Sequence, residues 1–402
     1  MTVASAQKTT SESAIVETRE LDNGIEITWS DGFKSFFHSI WLRDCCYCEH
    51  CGDTYSSKRY IVPSDIPLDI KPNSVAVDAD GNLSIAWQPD NHASQYDAQW
   101  LRQNCYDDIS RQAKFHQPIL WDSKLSNQIP SVAFPAARSS DEVRLDLYRK
   151  LRDYGFVVVT GGTGEAGSVE VVAGLVGETG ESAYSKIFDL TPKSKTRTLG
   201  NSTRPVPPHT DEAFRHGPPG INVLGCVTAA DDGGDSVLVD GFKLASLLKK
   251  GDPDSFGMLT EYAQSYHRIH DLGEGRSIDE RTRQRMFVVD DRGEVTGIRI
   301  HTRAAGPLTL PPEKVEPYYA AHHRLSQLMM SAQNQIQFRL NAGDTVLFDN
   351  HRVLHARTDF TDPERFLQIC NVPRESFHQC LRTLARKLGH YAESEMILCS
   401  GA

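Results

Sequence analysis

The tightest constraint in the chain lies near its start, in Trp41-Leu-Arg-Asp-Cys-Cys-Tyr-Cys-Glu-His-Cys51. Four of the nine cysteines fall within these seven residues from Cys45 to Cys51, and the other five are scattered singly. That distribution is unlike a disulfide framework, which spreads pairs of cysteines along a chain. Cys46-x-Cys48-x-x-Cys51 instead lets three thiolates converge on one tetrahedral Zn(II), with sulfur at about 2.3 Å. The competing reading is a set of buried or reactive free thiols, and the crowding favours the metal. A fourth ligand is required, and Cys45, His50 and the distant His92 are all candidates. Cys45 and Cys46, being adjacent, would have difficulty both pointing inward. A filled Cys3His site keeps no open position, so its role is structural.

Around this cluster the first hundred residues read as short strands: Gly24–Trp29, Gly32–Phe37 and Asn82–Trp87, separated by Asp31-Gly32 and Asp80-Gly81 turn formers. A disordered leader over 1–15, a small N-terminal zinc-binding β domain over 16–106 and a linker over 107–130 are expected, with a larger domain over 131–402. The leader is small and polar without an apolar run, so no signal peptide is expected. No stretch approaches the about 20 apolar residues of a membrane helix. The cytoplasm is the expected location. The balance of 43 Lys+Arg against 53 Asp+Glu, a net charge of -10, argues against nucleic acid or anionic membranes as partners. A homodimer is the expected assembly.

In the larger domain a helix is expected to start at Ser139, with Glu142 reaching back in a capping box and Val143, Leu147, Leu151 and Tyr154 on one face. Strands are expected over Phe156–Thr160, Ile221–Leu224, Ser236–Asp240, Asp344–Phe348 and Phe366–Cys370, and helices over Pro312–Ser331 and Ser376–Leu388. Many short strands with a few helices outside them indicate a mainly β, jelly-roll core with helical buttresses.

Pro208-His-Thr-Asp-Glu212 contains His209-x-Asp211. On a strand, side chains two apart share a face, so both groups can bind one metal. Alone the pattern is weak, since a chain with 15 histidines offers chance matches. The segment Asp349-Asn-His-Arg-Val-Leu-His-Ala-Arg357, followed by Arg365, strengthens it. His351 and His355 are both possible third ligands, and Arg352, Arg357 and Arg365 are all possible clamps for a carboxylate. Two histidines and one carboxylate occupy one face of an octahedron and leave three positions for 2-oxoglutarate and O2.

His209-Thr-Asp211, Pro218-Pro-Gly-Ile-Asn-Val-Leu224, Gly233-Gly-Asp-Ser236, Val239-Asp-Gly-Phe242 and Asp349-Asn-His-Arg-Val-Leu-His355 together resemble the γ-butyrobetaine hydroxylase and trimethyllysine hydroxylase family. Trp41-Leu-Arg-Asp44, the cysteine cluster and Pro89-Asp-Asn-His92 extend the likeness through the N-terminal domain. The resemblance implies Fe(II) held by His209, Asp211 and His355, with 2-oxoglutarate gripped by Arg365 and flanked by Ser236 and Leu224. It also implies Zn(II) on Cys46, Cys48, Cys51 and His92, a double-stranded β-helix, and a dioxygenase hydroxylating an unactivated C–H bond.

Family substrates carry a trimethylammonium group, held by aromatic rings through cation–π attraction of about 2 kcal/mol or more when desolvated. The positions of that aromatic box fall on Tyr184 and Phe188, which keep their rings, and on Asn201 and Asn371, which do not. Arg299-Ile-His-Thr-Arg303, near the family's contact to the substrate's acidic end, is more basic than that contact requires. Arg303 therefore suggests a more highly charged acid, such as 2-(trimethylammonio)ethylphosphonate, over γ-butyrobetaine. A non-catalytic zinc-stabilised binding module with a decayed oxygenase site is the rival reading, and the intact set His209, Asp211, His355 and Arg365 argues against it. A zinc hydrolase would want an H-E-x-x-H helix, which the sequence lacks.

Overall fold

The structure, a computed structural model, describes residues 14–193, 196, 198–273 and 275–398. Most of the expected leader, residues 1–13, lies outside them, while Ile15 opens the first strand. The chain divides into two compact units, at Phe115 and His116. That division falls within the segment read as a linker, which itself carries a helix over Asp108–Lys114 and a 3-10 turn over Ser123–Asn127.

The N-terminal unit contains two three-stranded antiparallel sheets, Ile15–Leu21, Gly24–Trp29, Lys34–His38 and Pro72–Val77, Leu83–Trp87, His92–Tyr96. Alternation explains the burial of Ile25, Ile27 and Trp29 in one sheet and of Leu83, Ile85 and Trp87 in the other. These side chains share one core with Phe37, Leu42 and Leu101. Each buried indole finds a hydroxyl. Trp29 Nε1 donates to Ser35 Oγ at 2.8 Å and Trp87 Nε1 to Ser94 Oγ at 2.9 Å, so neither N–H is left unpaired.

The C-terminal unit is mainly β with helices outside. A six-stranded sheet runs in the order Phe188–Leu190, Phe366–Val372, Ile221–Thr228, Thr345–Asp349, Phe156–Thr160, Ser131–Ala133, antiparallel except for the last pair. A four-stranded antiparallel sheet has the order Val206–His209, Val353–Arg357, Ser236–Asp240, Gln335–Phe338. Phe156, Val158, Val346 and Phe348 of the first sheet pack with Leu238, Ile336 and Val353 of the second. This is the sandwich of a jelly roll. Val157, Val159, Val223 and Leu347 face the other way, onto Leu147 and Leu151 of the Asp141–Tyr154 helix and Phe377 and Leu381 of the Arg374–Lys387 helix. Phe156–Thr160 is thus buried on both faces, the reason its sequence is a continuous apolar run. Behind the smaller sheet, Val239 and Leu354 pack with Phe242, Leu248, Tyr318 and Leu325 of the helices Gly241–Gly251 and Pro312–Met330.

Three expectations need correction. Ser139 closes a short helix, Phe134–Ser139, and the next residue caps the long one, Ser140 Oγ accepting from the Val143 N–H at 3.3 Å. Only His209 of the His209-x-Asp211 pair lies on a strand, since that strand ends at His209. The structure also adds a long hairpin, Ala263–Gly273 with Arg276–Arg285, where no strand is expected. Its sequence lacks an apolar alternation because polar and charged residues occupy most positions on both faces. No described helix is long and apolar enough to cross a membrane.

Candidate active site

His209 and His355 face each other directly across neighbouring strands, their ring centroids 4.2 Å apart. Asp211, just past the strand end, lies between them. One carboxylate oxygen is 3.4 Å from His209 Nε2 and the other 3.6 Å from His355 Nε2. Among the described residues these three form one of two groups whose ligand atoms all lie within 4.8 Å of one another. His209 Nδ1 is 3.0 Å from the Pro207 carbonyl. Donation there leaves the Nε2 lone pair facing Asp211, the usual way a second partner orients a metal-binding imidazole.

Burial pushes the His355 imidazole down to about 3. Burial alone would raise the Asp211 carboxyl, but the His355 and His209 rings hold it well below the ordinary range. Neutral imidazole and ionised carboxylate are the protonation states a divalent metal requires.

Two asparagines that carry no role in the sequence reading fix this geometry. Asn350 Oδ1 accepts the Asp211 N–H at 2.7 Å, and its Nδ2 donates to the Asp211 carbonyl at 3.2 Å and the Pro219 carbonyl at 3.0 Å. Asn222 Nδ2 donates to Asp211 Oδ2 at 2.8 Å. Each lies within a segment that carries the family resemblance, yet the bond each makes reaches another segment.

The three groups line a cavity of about 340 Å³, together with Arg365, Ser236, Leu224, Tyr184, Phe188, Arg303 and Asn371. Asn201 is not brought into it. That side chain is buried in a turn, where Nδ2 donates to the Asp189 carbonyl at 3.0 Å and Oδ1 accepts from Thr198 Oγ1 at 3.0 Å. His351 is likewise not among the cavity residues. Arg268 of the unexpected hairpin and His301 line the cavity too. The His301 ring sits 4.9 Å from that of His209, with Nδ1 2.8 Å from the Thr210 carbonyl.

The three arginines that spacing leaves equivalent differ in what already holds them. Arg352 is bound to Asp240 through Nε at 3.2 Å and Nη2 at 3.1 Å, and also donates to the Asp153 and Ile119 carbonyls. Both side chains of that ion pair are almost wholly buried, so Arg352 is a strut. Arg357 lines the cavity but donates to the carbonyls of Gly200, Ser202 and Arg204. Arg365 makes one hydrogen bond to a described residue, from Nη2 to the Gly234 carbonyl at 3.2 Å, and stacks 4.8 Å from the Phe360 ring centroid. The rest of its planar fork makes no hydrogen bond to a described residue.

In the N-terminal unit, His92 Nε2 lies 3.5, 3.4 and 3.4 Å from the sulfurs of Cys46, Cys48 and Cys51. These four form the second metal-competent group, which includes neither Cys45 nor His50. Tetrahedral zinc with ordinary bond lengths sets S···N edges at about 3.6 Å, so the donor set fits. Arg43 Nη1, 3.2 Å from Cys51 Sγ, supplies a positive charge beside the thiolates.

Residues 122–371 match the model of the taurine catabolism dioxygenase TauD, TfdA family, and residues 16–102 match that of the γ-butyrobetaine hydroxylase-like N-terminal domain. The γ-butyrobetaine dioxygenase of Pseudomonas sp. (strain AK-1) is 30% identical over 380 residues, covering 93% of this chain and 97% of that protein. The Homo sapiens γ-butyrobetaine dioxygenase is 28% identical, covering 84% and 87%. The mitochondrial trimethyllysine dioxygenase of Gallus gallus is 27% identical, covering 86% and 82%. The chain belongs to the TauD/TfdA family, within the γ-butyrobetaine and trimethyllysine dioxygenase branch, and is an Fe(II)- and 2-oxoglutarate-dependent dioxygenase.

Proposed function

We propose that this dioxygenase hydroxylates a small trimethylammonium compound with an acidic end, with 2-(trimethylammonio)ethylphosphonate ahead of γ-butyrobetaine. The observation that carries the reading is the cavity itself, which is lined by the His209–Asp211–His355 group together with Arg365 and Arg303. Iron would be held by His209, Asp211 and His355. When bound, iron and 2-oxoglutarate supply the oxidising chemistry, with 2-oxoglutarate going to succinate and CO2 as one oxygen atom enters a C–H bond.

The chain's own side chains hold and orient. Arg365 takes the 2-oxoglutarate carboxylate remote from the metal, flanked by Ser236 and Leu224. Tyr184 and Phe188, with ring centroids 5.4 Å apart and planes tilted by 45°, offer π faces to the quaternary ammonium. Arg303, exposed within the cavity, takes the acidic end, and Arg268 adds a second cation to the same lining. Two guanidiniums suit a phosphonate, which carries more charge and one more oxygen than a carboxylate. The named relatives act on γ-butyrobetaine and trimethyllysine, both trimethylammonium compounds. Arg303→Met is expected to raise the Michaelis constant of the phosphonate by about ten- to a hundredfold, the loss of a charge-assisted hydrogen bond, and that of γ-butyrobetaine by less. Equal constants for both compounds in variant and parent would contradict the assignment.

The Cys46, Cys48, Cys51 and His92 group is proposed to hold a structural zinc. It would tie the 46–51 loop to the hairpin end at His92, which the chain reaches only 41 residues after Cys51. One zinc per chain is expected from metal analysis of the purified protein. Cys48→Ser should lower the melting temperature, because structural zinc contributes directly to folding, by about 10–16 kcal/mol in small zinc-finger peptides and less where a larger core shares the task. Active protein free of zinc would contradict this.

A further inference from the structure

Glu212 follows the metal-competent Asp211, yet its side chain serves a different segment. It is buried, and among the described non-glycine residues of the C-terminal unit it alone adopts a positive φ, 47°. A side chain other than glycine adopts that backbone only where its surroundings hold it there. Both carboxylate oxygens approach the Ala183 N–H, at 3.1 and 3.2 Å, and Arg215 Nη1 donates to Oε2 at 2.9 Å. The Ala183 side chain packs against Ala213, Phe214, Tyr266 and Ala304, so apolar contact seals the same junction.

Ala183 immediately precedes Tyr184 in the segment that supplies one cavity wall, Ser182 to Phe188. That segment is fastened at its start, where the Gly180 N–H donates to the Asn371 carbonyl at 2.9 Å, and at its end by the Phe188–Leu190 strand. Between those points Tyr184 N and Ser185 N both donate to Ser182 Oγ, bonds internal to the segment. Glu212 links its middle to the loop that carries Asp211, and Arg215 Nη1 of the same loop donates to the Glu181 carbonyl at 3.3 Å.

We propose that Glu212 is a positioning residue that holds the Ser182–Phe188 wall in register with the metal ligands, so that substrate lies with its target carbon at the metal. The substrate part of this inference rests on the assignment of Tyr184 and Phe188 above. The carboxylate does so by accepting the Ala183 N–H, and Arg215 keeps it oriented. Sequence adjacency to Asp211 makes the coupling short, with one residue's backbone joining the two functions.

Amide hydrogen exchange on the full-length protein tests the latch without any turnover. In Glu212→Ala the peptide spanning 181–187 should exchange about ten- to a hundredfold faster, as expected for loss of a charge-assisted bond to a half-buried amide, while the Ile221–Thr228 strand keeps its protection. Substrate KM should rise and succinate should form in excess of hydroxylated product, with the KM for 2-oxoglutarate and the affinity for metal unchanged. Glu212→Gln keeps a carbonyl oxygen for the Ala183 N–H and should restore exchange and coupling towards parent values. Arg215→Met, which leaves the carboxylate in place but also deletes the Nη1 bond to the Glu181 carbonyl, should give a smaller acceleration and serves if Glu212→Ala does not fold.

Unchanged exchange at 181–187 in both Glu212→Ala and Arg215→Met would overturn the proposal. So would a fall in metal affinity matching the loss of substrate binding, since Glu212 would then be supporting the ligand loop alone. Faster exchange with unchanged substrate KM would retain the latch and instead overturn the assignment of this wall to substrate.

Discussion

His355→Ala, His209→Ala and Asp211→Ala should each abolish hydroxylation, whereas His351→Ala should leave metal affinity near that of the parent. The expectation follows from the convergence of the first three on one point. Their ligand atoms lie within 4.8 Å of one another, and each removal deletes one of the three protein donors that would hold a metal whose other positions must stay open. The cross-strand pairing of His209 with His355 supports His355 over His351 as the third donor of the Asp349–His355 segment. His351 belongs to a different environment, where its N–H donates to Asp349 Oδ1 at 2.9 Å and its carbonyl accepts the Ile298 N–H at 2.8 Å. Metal titration by calorimetry separates the variants independently of activity. Equal losses in His351→Ala and His355→Ala would undo the ligand assignment.

The second large effect is expected at Arg365. Methionine keeps most of the side-chain bulk and deletes every hydrogen bond, leaving a bound carboxylate without its partner in a buried place. The cost should be about 3–5 kcal/mol, which is several hundredfold or more in the Michaelis constant for 2-oxoglutarate. Arg365→Lys should recover only part of it, because an ammonium cannot reproduce the planar fork. Arg357→Met should act differently. Its guanidinium holds the carbonyls of Gly200, Ser202 and Arg204, so its loss loosens that turn and should affect stability more than co-substrate affinity. A raised constant in Arg357→Met with an unchanged one in Arg365→Met would show the clamp to be misassigned.

Part of this fold is legible in the residues alone. Phe156–Thr160 and Ser236–Asp240 are recognisable as strands with their observed bounds, because burial on both faces leaves them continuously or nearly continuously apolar. The Pro312–Met330 helix is recognisable within one residue of its end, since it packs one periodic apolar stripe against the core. The Ala263–Gly273 and Arg276–Arg285 hairpin is not. Its pairs include Arg268 with Glu280 and His267 with Arg281, polar partners that leave no alternation to detect, and Arg268 is hidden with it.

Within the site, residue type and spacing nominate candidates, but partners from far along the chain decide among them. Arg352 is disqualified as a clamp by Asp240, 112 residues earlier. Asn201 is kept from the cavity by bonds to Thr198 and Asp189. The assistance Asn222 and Asn350 give to Asp211 is equally invisible in a linear pattern, for nothing in an asparagine's neighbours announces which carboxylate it will meet. The cysteine cluster lies at the other extreme. Its three sulfurs are local, and only the choice among Cys45, His50 and His92 awaits the fold, which brings His92.

If this cavity couples oxidation of 2-oxoglutarate to hydroxylation of a trimethylammonium acid, the two products must form together. The most direct test supplies the protein with Fe(II), 2-oxoglutarate and 18O2. A panel of quaternary amines bearing carboxylate or phosphonate ends is added, and succinate and products are weighed by mass spectrometry. One 18O atom is expected in succinate and one in a hydroxylated trimethylammonium product, in equal amounts, with the phosphonate turned over best. Succinate no greater with any trimethylammonium compound than without one, and no labelled product, would contradict it.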